Sequence, residues 1–160
     1  MAFSKVKNTT LNEIVVKASS FCAYQERTQQ EVRAKLYDLG VDKDITEEVI
    51  AKLIQDNFIN EERFAKVYAG GKFRLKRWGK LKIVQMLKEK GLSPYCIKKA
   101  LEEIGDEDYQ KTILFLVEKK SREEKETNPF KRKDKISKYL IRKGYEPEEV
   151  WEVINSMMDK

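Results

Sequence analysis

A chain of 160 residues in which 38% are charged and 41% apolar has a large surface to solvate over modest cores, a balance that fits small repeated units. With no histidine, and two cysteines that form no CxxC pair, imidazole catalysis and the ordinary zinc and iron sites are excluded in their common forms. The net charge of +6 sits mainly in the middle: residues 1–60 hold 8 basic and 9 acidic side chains, 61–107 hold 12 and 7, and 108–160 hold 13 and 11.

Seven glycines, three prolines and no alternating Val/Ile/Thr run bounded by turns predict an all-α chain. Leu11, Ile14, Val15, Ala18, Phe21 and Cys22 recur at helical spacing and define a first helix. Thr28 and Glu31 form a capping box that opens a second, with Val32, Leu36 and Leu39 inward and Gly40 at its end. A third is expected from Thr46, with Glu47 and Glu48 in its first turn and Val49, Ile50, Leu53 and Ile54 buried. The plan then returns from Asn60, a cap followed by Glu61 and Glu62. In this long helix Phe64, Val67, Tyr68, Gly71, Leu75 and Trp78 fall within one arc and are expected to be core. The opposite arc gathers Arg63, Lys66, Arg74 and Arg77 around Phe73, and Lys72, Lys76, Lys80 and Lys82 extend the charge into the next turn. Gly70 and Gly71, each costing about 1 kcal/mol in a helix interior, imply a close approach there. Trp78-Gly79 breaks the helix, Lys80 to Lys90 forms the next, and Gly91 closes it. Ser93-Pro94 starts another with Ile97, Ala100, Leu101 and Ile104 inward, stopped by Gly105.

A third copy begins at Asp106, with Tyr109, Ile113, Leu116 and Val117 inward. Lys119 to Asn128 reads as a charged loop or frayed end. Lys131 to Lys143 follows, with Ile136, Tyr139 and Leu140 inward and Gly144 closing it. Pro147 then opens a last helix bearing Val150, Trp151, Val153, Ile154 and Met157. Ile83, Leu87, Gly91, Ile97, Ala100 and Leu101 recur at Ile136, Leu140, Gly144, Val150, Val153 and Ile154, a constant offset of 53 residues. Leu36, Gly40, Val49 and Leu53 repeat the pattern after a three-residue insertion. The expected architecture is therefore three tandem three-helix repeats, 10–59, 60–105 and 106–158, forming an elongated, curved array.

Gly70-Gly71-Lys72 fails as a phosphate loop, because Lys66 stands where the earlier glycine belongs and Phe73 replaces the Ser or Thr. The carboxylates fall at caps and on solvent faces, so no enzyme and no cofactor are expected. Cys22 and Cys96 read as reduced core thiols. No 18-residue apolar run exists, and Met1 to Lys17 lacks the features of a leader, so a cytoplasmic, non-membrane protein is expected. The candidate binding residues are Lys66, Lys72, Phe73, Arg74, Lys76, Arg77, Lys80 and Lys82, with Lys131, Arg132, Lys135 and Lys138 at the corresponding place in the third copy. Cations interleaved with aromatic rings suit phosphates or acidic protein surface.

Phe58-Ile59-Asn60-Glu61-Glu62-Arg63-Phe64-Ala65, followed by Tyr68, Arg74, Arg77-Trp78-Gly79-Lys80 and Met86-Leu87-Lys88-Glu89-Lys90-Gly91-Leu92, resembles the most recognisable block of the RecX family of bacterial recombination regulators. Arg27-Thr28 with Glu31, Lys35-Leu36 and Gly40, and Arg142-Lys143-Gly144-Tyr145, add to the likeness across nearly the whole chain. Met86, where the family has one residue of a Glu-Leu pair, and Trp78 before the glycine are departures. The resemblance implies a non-enzymatic, monomeric protein that binds the RecA–DNA nucleoprotein filament, along its helical groove, and modulates its ATPase and strand exchange, as a rule negatively. A nucleic-acid-binding module acting on single- or double-stranded DNA without a recombinase, and a purely structural scaffold, are the rival readings.

Overall fold

The computed structural model describes residues 2–158, with side chains for 11–158; Met1, where the leader reading begins, lies outside them. Every regular element among them is a helix: α1 (Ala2–Tyr24), α2 (Gln29–Asp38), α3 (Lys43–Gln55), α4 (Glu61–Lys76), α5 (Lys80–Glu89), α6 (Pro94–Leu101), α7 (Asp106–Glu123), α8 (Pro129–Arg142) and α9 (Pro147–Met158). None is long and apolar enough to cross a membrane.

Side-chain caps set most of the starts. The Thr28 hydroxyl accepts from the Glu31 amide at 3.1 Å, Asn60 Oδ1 from Arg63 at 2.9 Å and the Ser93 hydroxyl from Cys96 at 3.2 Å. α3 begins three residues earlier than Thr46, because Asp42 caps it by accepting from the Ile45 amide at 3.1 Å; Thr46 is buried within the helix. α7 continues through Lys119 and Lys120 to Glu123, so that part of the expected loop is helix. Gly105 does not stop α6, which ends at Leu101; it precedes α7. Leu39 and Ile54, expected inside, are exposed at helix ends.

The repeat is visible bond for bond. Gly40, Gly91 and Gly144 all take positive φ, at +78°, +82° and +104°, and end α2, α5 and α8 in the same way. In each, the residue after the glycine donates its amide back into the last turn: Val41 to Leu36 O at 3.0 Å, Leu92 to Leu87 O at 3.1 Å, Tyr145 to Leu140 O at 3.2 Å. Without a Cβ to resist this conformation, glycine is the residue that fits.

The cores do not follow the repeat one for one. Ile14, Ala18, Val32, Leu36, Val49, Leu53 and Ile59 make a self-contained core for α1–α3. From Phe64 to Ile154, α4–α9 share a single continuous core. α4 corrects the expectation most. Its buried side is Phe64, Ala65, Ala69, Gly70 and Phe73, and the small residues let it lie close along α6 at Ala100. Val67 and Leu75 are 57% and 83% exposed, and a Cβ at Gly71 would meet nothing within 4 Å. Only Phe64 is fully buried from the expected core arc, with Tyr68 and Trp78 half-buried. Apolar residues occupy both sides of this helix, so periodicity alone selects the wrong one.

Candidate functional site

Besides the close packing of mid-α4 along α6 at Ala65, Ala69 and Gly70, a second close approach, of backbone on backbone, occurs at the turn between α4 and α5. Arg77 ends α4 with φ 55°, a left-handed conformation rare for a side-chain-bearing residue. The third repeat holds this turn in place. The Tyr145 hydroxyl donates to Arg77 O at 2.9 Å, the Gly79 amide donates to Lys143 O at 2.7 Å, and the Leu81 amide to Gly144 O at 2.9 Å. The Lys80 amide donates to Tyr109 Oη at 2.9 Å. The first amides of α5, which no helical carbonyl can serve, are thus met from α7 and the α8–α9 turn. Phe73, Tyr109 and Tyr145 stack in sequence beneath, with ring centroids 5.9 Å and 5.2 Å apart. Burial pushes both tyrosine hydroxyls above their ordinary pKa, and Tyr109 rises further because it donates to Glu146.

Above this framework the charges converge. Lys143 donates its ammonium to Lys76 O at 3.2 Å. Burial lowers its pKa, and the charges that lower it further are Lys82, Lys119 and Arg77, all cations. Aromatic faces lie among them: Lys82 and Lys72 sit 4.4 Å and 4.9 Å from the Trp78 ring, and Arg77 lies 4.5 Å over Phe115. Lys120 and Lys143 flank Tyr139 at 5.2 Å and 5.7 Å. Like charges held together repel one another, and an anion that enters relieves the repulsion. Among the described residues no group of three or more His, Cys, Asp and Glu could hold a metal.

Of the sequence-derived candidates, Lys72, Lys76, Arg77 and Lys82 belong to this cluster. Phe73 does not: it is 7% exposed, packed on Tyr109, and its placement on the outward arc is corrected by the true burial side of α4. Lys80 turns inward, 4.5 Å over Tyr109 and 3.8 Å from Asp106. Arg74 is exposed, its guanidinium lying over Gly70, and Lys66 pairs with Glu62 at 3.3 Å. In the third repeat Lys131, Lys135 and Lys138 are exposed and, at spacings of four and three, form one stripe along α8 that continues to Arg142. With a helical rise of 1.5 Å per residue the stripe runs about 16 Å toward the junction. Lys138 pairs with Asp134 at 2.9 Å. Arg132 instead turns into the α7–α8 connection, donating to the carbonyls of Glu124 at 2.6 Å and of Ser121, and is structural.

Lys119, Lys120, Arg142 and Lys143 are not among the candidates that charge spacing marks, although Arg142 and Lys143 carry part of the family likeness. The first two lie in the segment whose charge reads as a loop or frayed end, although Phe115 and Lys119 are spaced to share a helical face. Arg142 and Lys143 lay at a helix end whose contact with the α4–α5 turn has no periodic signature.

Three family models match in tandem: the first three-helix domain of RecX at residues 16–53, the second at 60–101 and the third at 106–154. The regulatory protein RecX of Bacillus cereus strain B4264 is 30% identical over 153 residues, covering 96% of this chain and 57% of the relative. That of Bacillus cytotoxicus is 33% identical over 145 residues, 88% of this chain and 54% of the relative. The chain thus spans little more than half the length of these curated relatives. The crystal structure of RecX from Lactobacillus salivarius superposes with a TM-score of 0.84 at 25% identity, covering 94% of this chain and 97% of that one. A second crystal structure, of a regulatory protein RecX, gives a TM-score of 0.79 at 21% identity over 99% of this chain and 78% of that one, and supports the fold. Matched by three successive RecX domains, with the all-helical fold of a solved RecX, this chain belongs to the RecX family.

Proposed function

We propose that this protein is a non-enzymatic modulator of the RecA recombinase that binds the RecA–DNA filament and restrains its ATPase and strand exchange. The observation that carries the reading is the convergence of Arg77 and Lys82 from one repeat with Lys119 and Lys143 from the next, where burial and then the neighbouring cations Lys82, Lys119 and Arg77 depress the Lys143 pKa. A surface built this way has a polyanion as its natural partner, and a filament of recombinase on DNA presents both phosphates and acidic side chains. Family membership supports a regulatory role, and the likeness of the Arg63–Gly91 block to the regulators of RecA supports the recombinase as its target.

The test is to add the purified protein to RecA on single-stranded DNA and follow ATP hydrolysis and filament length. A variant with Lys82→Glu and Lys119→Glu should keep its melting temperature and bind more weakly. Its salt dependence should flatten by about two counterions if both lysines meet phosphates. Unchanged binding by the variant would remove the cluster from the mechanism. Equal affinity for bare DNA and for the filament would favour the module that acts without a recombinase.

A further inference from the structure

The cationic junction continues into a row that crosses the second repeat. The Lys82 ammonium lies over Trp78; Lys72 is shared by Trp78 and Tyr68, 4.9 Å and 5.4 Å from their ring centres; Lys90 is shared by Tyr68 and Phe64, at 5.6 Å and 5.8 Å. The rings follow one another at 6.4 Å and 5.9 Å. At Lys90 the first repeat closes the row with acid. Glu31 pairs with Lys90 at 3.4 Å, and Glu26 pairs with Arg63 at 2.6 Å. Little else holds the first repeat there. α1–α3 and α4–α9 keep separate cores, and no helix of the first set packs along one of the second. The connecting chain stays with the first repeat through Ile59, buried in its core, and passes into α4 at the extended residue Asn60. Arg63 straps that connection by donating to the carbonyls of Asn57 at 3.0 Å and Phe58 at 3.4 Å, and the Gln29 amide reaches across to Glu61 at 3.1 Å. Among the described residues Oε2 of Glu26 is buried without a partner, so the closed joint leaves unpaired an oxygen that water would serve if the joint opened. Half-exposed ion pairs of this kind hold weakly and yield to competing anions.

We propose that this joint is a gate operated by nucleic-acid phosphate, in which Glu26 and Glu31 mask Arg63 and Lys90 until a strand displaces them. A strand lying along Lys82 and Lys72 brings phosphates to Lys90. They take the place of the Glu31 and Glu26 carboxylates, the first repeat swings away about Asn60, and Arg63 and Lys90 join the phosphate contacts. The proposal rests on the polyanion reading of the junction and adds to it a limit that the chain sets on its own affinity.

The Gln29 amide reports the gate, because its acceptor lies across the joint, whereas the Val32 amide donates to Thr28 O at 3.1 Å within the first repeat. Adding a thymidine oligonucleotide to the full chain should speed hydrogen exchange at Gln29 about tenfold or more and leave Val32 unchanged. The double variant Glu26→Gln with Glu31→Gln should exchange Gln29 fast without DNA, bind the oligonucleotide about fivefold more tightly than wild type, and show a steeper salt dependence. Glu13→Gln with Glu48→Gln removes the same charge at exposed acids that enter none of these pairs, and should gain little. Equal gains by the two double variants overturn the gate by reducing it to net charge. Wild type that binds with Gln29 exchange unaltered overturns it without recourse to any variant, and so does a Glu26/Glu31 variant that binds no more tightly. Absence of oligonucleotide binding by wild type removes the polyanion reading of the junction, and the gate with it.

Discussion

A Cβ at position 79 would collide with the carbonyl carbon and oxygen of Gly144 and with the Tyr145 amide, all of them backbone atoms held by the α8–α9 turn. Gly79→Ala should therefore destabilise the protein by about 3 kcal/mol, where Gly71→Ala should stabilise it by about 1 kcal/mol. Urea denaturation of the two variants side by side checks both, and equal midpoints would mean that the 79–144 crossing is not held. Composition reveals that glycines are few, but it cannot say which of them touch another part of the chain. Gly70 lies on the side of α4 that packs along α6, whereas the tightest backbone crossing belongs to Gly79, which no helical period marks. A second residue-scale prediction concerns Glu149. Burial first, then a hydrogen bond and repulsion involving Glu146, hold its carboxyl above the ordinary range, against the opposing pull of Lys80 and Gln110. Its Oε2 is buried without a partner. The folded state therefore binds this proton more tightly than the unfolded chain, so stability falls as pH rises from the ordinary carboxylate range through the raised value. Glu149→Gln should melt higher than wild type at neutral pH, and the advantage should disappear as pH drops below the ordinary carboxylate range. A constant difference across a pH series of melts would refute the assignment.

At the scale of elements, capping chemistry was the most legible feature. Thr28, Asn60 and Ser93 open helices where their side chains can accept an amide, and the three closing glycines fall where the pattern requires. What periodicity could not decide was which side of α4 faces in, because Ala65, Ala69 and Gly70 score as weak core residues yet are the ones that let α6 come close. Nor could it see that charged residues continue a helix, as Lys119 to Glu123 continue α7. The chain after α7 is held by Arg132, whose guanidinium serves the carbonyls of Ser121, Glu124 and Glu126. Arg132→Ala leaves these acceptors to water and should cost about 2 kcal/mol. Limited proteolysis should cut faster between residues 124 and 128, and filament affinity should not change. Weakened binding with a closed, protease-resistant connection would return Arg132 to the contact set.

Across the whole molecule the 53-residue offset makes the tandem plan legible, but not how the repeats join, since neighbouring units meet through single residues that carry no period. The two joints differ in physical kind. Between the first and second repeats they are polar: Arg63 to Glu26 at 2.6 Å, Lys90 to Glu31 at 3.4 Å, and the Gln29 amide to Glu61 at 3.1 Å. Exposed and half-exposed pairs of this sort contribute about 0–1 kcal/mol each and weaken as salt is added. Between the second and third repeats the joint is made of backbone hydrogen bonds, a stack of three rings and one shared apolar core. Three helices with a small core of their own are marginal alone, whereas six helices over one core bury a larger fraction of their surface. Unfolding should accordingly proceed in two cooperative steps. Native-state hydrogen exchange in increasing urea should release the amides of α1–α3 together at the lower free energy, and those of α4–α9 together at the higher, with Gly79 and Leu81 among the slowest. Raising the salt should bring the first step forward and leave the second in place. A single transition in which α1–α9 exchange at one free energy, unmoved by salt, would show instead that the polar joint couples the repeats as firmly as the aromatic one.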